Sequence, residues 1–160
     1  MSLFASSDSF RPTEVIQLID KLNSGAGTLI VETDAGRGYL KALGNPDSPH
    51  ALVKDFLGTH LGALIGLPTF DYALVEITDI DELPFFRGGQ AEPGPAFVTR
   101  AEDGTTWGND KRLLTKVDNP EAISGLVVID TWLRNTDRYY LPANRVNLDW
   151  SITWLSGRRL

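Results

Sequence analysis

The feature that most constrains this chain is a pair of strand-like runs closed by a glycine-bearing turn. Thr28-Leu29-Ile30-Val31-Glu32-Thr33 is rich in β-branched residues, Asp34-Ala35-Gly36-Arg37-Gly38 supplies the turn, and Tyr39-Leu40-Lys41-Ala42-Leu43 alternates in polarity as a return strand. Such runs fit a pleated, half-buried surface, and the short turn between them makes them neighbours, so the spacing predicts an antiparallel hairpin. A second turn, Gly25-Ala26-Gly27, delivers the chain into the first strand.

Around the hairpin the periodicity changes. Residues 13–22 carry Val15, Ile16, Leu18, Ile19 and Leu22 at helical spacing, with Thr13 as the expected N-cap and Asn23-Ser24-Gly25 as the stop. Residues 51–65 give the strongest helical pattern. Val53, Phe56, Leu57, Leu61 and Leu64 form the expected buried stripe, Lys54 and Asp55 lie off its centre, and Gly66-Leu67-Pro68 closes the helix. A third strand is expected at residues 72–77, a linker at 87–95 and a short strand at 96–100. A second helix is expected over about 120–133, with Asn119 as its cap, Glu121 at the positive end of its dipole and Trp132 in its core. A polar loop follows over 134–144, and 147–154 reads as a further strand. Helices and strands are segregated rather than alternating, which predicts an α+β fold over a doubly wound parallel sheet.

Composition narrows the chemistry. Among 160 residues there is no cysteine, so disulfides, thiolate zinc sites and cysteine nucleophiles are excluded. A formal net charge of −6 argues against a broad grip on nucleic acid, although a cation and a few backbone N–H groups suffice for a small polyphosphate. No apolar run approaches the roughly 20 residues that cross a bilayer, and no secretory leader is visible, so cytoplasmic residence is expected. His50 and His60 read as structural, Ser24 and Ser124 lack the context of a nucleophile elbow, and Asp79, Asp81 and Glu82 read as a solvated turn without calcium-loop spacing.

Two constellations remain. Lys41 sits on the return strand among apolar neighbours, and Asp55 follows in the next helix. A strand lysine aimed by a helix carboxylate can neutralise phosphate oxygens, whereas the plainer reading is a solvent-facing lysine and an ordinary surface aspartate. The second is Asn135-Thr136-Asp137-Arg138, placed directly after the second helix. An aspartate there can orient a hydroxyl and accept its proton; alternatively, Asn135 and Asp137 cap backbone groups.

Gly38-Tyr39-Leu40-Lys41, the stretch from Leu52-Val53-Lys54-Asp55-Phe56-Leu57 to Leu64-Ile65-Gly66-Leu67-Pro68, and Asp130-Thr131-Trp132-Leu133-Arg134-Asn135-Thr136-Asp137-Arg138 together resemble the HipA-like kinases, a bacterial branch of the protein-kinase fold. The resemblance implies an N-lobe-like nucleotide-binding region over residues 1–90, an antiparallel sheet plus helix. It implies the first helices of a C-lobe over 91–160. It further implies ATP and Mg2+ as cofactors, with Lys41, Asp55, Asn135 and Arg138 as the nucleotide-binding set, Asp137 as the catalytic aspartate and Asn144 as a metal ligand. The implied partners are the nucleotide and a protein or small-molecule hydroxyl acceptor, with no nucleic acid and no membrane. Three positions depart from the family pattern. Tyr139 stands where histidine usually follows Asp-Arg. Pro142 stands where the metal-binding asparagine is typical. Asp149 follows Asn144 too closely to match the family's second metal-binding aspartate, and the chain is expected to stop near where that strand would begin. A non-catalytic adaptor with a kinase-like shape, and a plain α+β domain, stand beside this expectation.

Overall fold

The computed structural model describes residues 10–23, 26–45, 48–78, 82–102 and 120–133. Among them the order is β1 (Val15–Lys21), β2 (Leu29–Thr33), β3 (Gly36–Leu43), α1 (Ala51–Leu64), β4 (Tyr72–Ile77), β5 (Glu92–Arg100) and α2 (Glu121–Leu133). The five strands form one antiparallel sheet in the spatial order β1-β2-β3-β5-β4. The fold class is therefore α+β, as expected.

The β2–β3 hairpin is the sheet's most regular part. Its ladder runs without a slip from Leu29↔Leu40 to Thr33↔Gly36, and β2 alternates strictly between fully and partly buried positions. Asp34 and Ala35 make the turn, and Gly36 takes the left-handed region at φ 105°, which a β-carbon would resist. The Thr33 hydroxyl donates to the Gly36 carbonyl at 2.6 Å and accepts the Ala35 N–H at 3.2 Å. One face of the sheet packs Leu29, Val31, Leu40, Ala42, Val75, Ile77, Ala96 and Val98 with Phe10, Leu83, Phe85 and Ala91 into a continuous apolar core.

Residues 15–21 form a strand, not the expected helix. β1 pairs with β2, but its register slips between Val15 and Gln17 and again between Leu18 and Asp20. Each slip adds a residue to the two-residue alternation, so the partly buried positions become Val15, Leu18 and Lys21. That three-residue spacing imitates a helical stripe. Thr13 caps no helix; its hydroxyl and N–H donate to the Asp34 carboxylate at 2.6 and 2.8 Å, pinning the entry of β1 to the β2–β3 turn. These bonds, the side-chain one foremost, hold the Asp34 carboxyl below its ordinary value.

The stretch expected to be a linker is also ordered into the sheet. Pro84 bridges Gln90, Phe85 N–H donates to the Gly89 carbonyl, and Ala91 N–H donates to the Leu83 carbonyl, so 83–91 is a tight excursion whose Leu83, Phe85 and Ala91 enter the core. β5 then starts at Glu92, and residues 92–100 share a sheet with 15–77. Pro93 and Pro95 lack the ladder N–H, and they are accommodated at the end of β5 where the β3 register slips between Lys41 and Leu43.

α1 spans nearly the expected residues, but its buried face is different. Ala51, Leu52, Asp55, Gly58, Thr59 and Gly62 are buried, whereas Val53 and Leu57 are exposed and Leu64 is 80% exposed. Asp55 is thus central to the packed face rather than off it. α2 meets the end of α1 at Gly125, where an added β-carbon would stand 2.9 Å from Leu67. Ile129 and Asp130 are its buried residues, while Trp132, expected in the core, is 69% exposed. Asn119, its expected cap, and the strand expected at 147–154 lie outside the described residues. Among the described residues no helix is long and apolar enough to cross a membrane.

Candidate functional site

Strand geometry decides where Lys41 points. Successive side chains alternate across a sheet, so Leu40 and Ala42 enter the apolar core and Lys41 emerges on the opposite face, where α1 lies. Phe97 is its partner across the β3–β5 ladder and is fully buried. From the helix, Asp55 descends to meet the lysine: Nζ stands 3.2 Å from Oδ2, with the two side chains only 5% and 8% exposed. An ammonium and a carboxylate at this depth depend on each other, because removing either leaves the other charged and poorly hydrated. The pairing considered from sequence is therefore present as a contact, and the plainer reading of two solvent-facing groups is not.

One helical turn beyond Asp55, Thr59 lies on the same buried face. Its hydroxyl is fully buried and has no hydrogen-bond partner among the described residues. Toward β4 and β5 an aromatic group completes the seat of α1. Phe56 meets Phe97 edge-on at 5.9 Å, Tyr72 lies 5.4 Å from Phe97, and His60 lies 4.3 Å from Phe56. The Tyr72 hydroxyl donates to His60 Nε2 at 2.9 Å, and His60 Nδ1 donates to the Phe56 carbonyl at 3.1 Å. The tautomer protonated at Nδ1 satisfies both bonds. His60 is thus structurally engaged, as the sequence suggested.

Sequence reasoning did not single out Thr59, Phe97 or Tyr72. Thr59 was findable as the i+4 neighbour of Asp55; Phe97 and Tyr72 depended on a β3-β5-β4 order that local pattern does not encode. Asn135, Asp137, Arg138 and Asn144 lie outside the described residues, as do Tyr139, Pro142 and Asp149. Asp130, near the end of α2, is buried. Among the described residues no group of three histidine, aspartate or glutamate side chains could hold a metal.

A lysine on the third strand, paired with a carboxylate on the helix that immediately follows, is the arrangement by which protein kinases hold nucleotide phosphates. The comparison with family models agrees with it: the model described as HipA-like kinase matches residues 15–154. The chain belongs to the HipA-like kinase family. The match takes in the sheet, both helices and the residues after α2 as far as 154, and the five-stranded sheet with α1 is compatible with a kinase-like N-lobe. No curated protein and no solved structure matches this HipA-like chain.

Proposed function

We propose that this HipA-like domain binds ATP through Lys41, with Asp55 fixing the lysine's aim, and that it transfers the γ-phosphate to a hydroxyl acceptor. The observation that carries the proposal is the 3.2 Å contact between the β3 lysine and the α1 aspartate in a chain of this family. A fixed ammonium suits a phosphate oxygen, because it supplies charge without reorganising. In this reading Asp137 takes the acceptor's proton as the hydroxyl oxygen bonds to the γ-phosphorus and ADP leaves with the electrons of the broken P–O bond. Asn135 and Arg138 would contribute to binding the nucleotide, and Asn144 would hold the magnesium ion. When bound, the ion would neutralise phosphate charge. Magnesium enters through the family likeness, and the acceptor through the class of chemistry. Residence in a bacterial cytoplasm belongs to the same proposal.

The depth of the ion pair favours a second reading, a kinase-shaped adaptor in which Lys41 and Asp55 hold α1 in place. Thermal unfolding with ATP, with and without magnesium, separates the two. The kinase reading expects magnesium-dependent stabilisation, about 1.4 kcal/mol at ten times the dissociation constant, lost in Lys41→Ala. It also expects phosphate transfer to an acceptor, lost in Asp137→Asn. No shift with ATP, in a protein that unfolds cooperatively, leaves the adaptor.

A further inference from the structure

After Leu52, the residues that α1 turns inward are a charged Asp55, a polar Thr59, and Gly58 and Gly62 with no side chain to pack. Apolar burial grips a helix in proportion to the area covered, and little is covered here. Contacts beside the buried face must therefore set how high α1 rides over β3 and β5. The aromatic group does this at the right place. Phe56 is the chain neighbour of Asp55, and Phe97 is the ladder partner of Lys41, so their edge-on contact joins the two sides of the ion pair. Tyr72 contacts both phenyl rings, at 6.4 Å from Phe56 and 5.4 Å from Phe97, and its hydroxyl clasps His60 on the next turn of α1.

We infer that Tyr72 and His60 are positioning residues: their hydrogen bond latches α1 to β4 and keeps Asp55 within reach of Lys41. Releasing the latch lets the helix lift locally and admits reagent to the Lys41 amine while the sheet beneath stays folded. The consequence for nucleotide affinity rests on the function proposed above; the latch itself does not.

The test is acetylation of the whole chain by a small acylating reagent, read by mass spectrometry as the rate at Lys41 relative to Lys54, which is exposed on the same helix. Tyr72→Phe keeps the ring and removes the donor. A net hydrogen-bond contribution near 1 kcal/mol corresponds to about a fivefold rise at Lys41. His60→Leu is expected to match it, whereas His60→Gln keeps an acceptor and stays near the parent rate. Backbone amide exchange serves as the second reading, with α1 accelerating and the β2–β3 hairpin unchanged. A parent-like Lys41 rate in Tyr72→Phe overturns the inference, and so does equal acceleration of α1 and the hairpin, which is general loosening. Adding MgATP separates the two proposals: a parent chain that ignores the nucleotide yet shows the Lys41 pattern sinks the ATP reading and keeps the latch.

Discussion

The two faces of the sheet are held by different physics. On one, Leu29, Val31, Leu40 and Val98 are wholly buried among aliphatic and aromatic neighbours, and the interface is dense and non-directional. On the other, α1 rests on an ion pair and an aromatic group. The first face tolerates changes that conserve volume; the second depends on individual atoms. If the function proposed above holds, this division serves it, because groups able to meet a phosphate cannot be packed as oil.

Three perturbations sharpen that contrast. The largest effect is expected from Asp55→Ala, which takes the carboxylate away from the buried Lys41 ammonium and should cost about 3–5 kcal/mol in urea unfolding. Replacing both partners, as Lys41→Met with Asp55→Leu, should restore most of that stability while abolishing any response to ATP. A double variant as unstable as the single one would mean that the helix is held by something other than the pair. Next comes Thr59→Val, which removes a buried hydroxyl with no hydrogen-bond partner among the described residues and should raise stability by about 1 kcal/mol. A loss of similar size would instead reveal a partner for that oxygen.

The smallest effect concerns Asp34. Its carboxyl is held below the ordinary value by the Thr13 bonds, so the folded state prefers the ionised form. That contribution is present above the unfolded value of about 3.9 and is lost as pH falls through the lower folded value. Unfolding measured from about pH 7 to about pH 2 should show the parent's advantage over Asp34→Asn fading at the acid end. An advantage that stays constant across that range would assign it to something other than the carboxylate's charge.

What the sequence disclosed follows from how local each signal was. The β2–β3 hairpin and the span of α1 were legible because their turns, alternation and terminators sit within a few residues of one another. Lys41 and Asp55 were legible as a pair of residue types, and their contact needed the fold to exist. The strand at 15–21 was hidden because two register slips turned a period of two into one of three. Residues 92–95 were hidden because prolines usually forbid a strand between two others, and only the slip in β3 makes room for them. The face of α1 was misread because the hydrophobic stripe rule assumes an apolar floor, whereas this floor contains a lysine.

The irregular pairing of β1 has a consequence for how the molecule behaves in company. An outermost strand exposes unpaired amides and carbonyls to any passing chain, and a straight one recruits copies of itself into growing ribbons. Among the described residues β1 borders the sheet; twice-kinked, and bearing Gln17, Asp20 and Lys21 among its apolar residues, it offers no long flat template. Bulges that obscured the strand from a reader of the sequence would equally frustrate a neighbour trying to zip onto it.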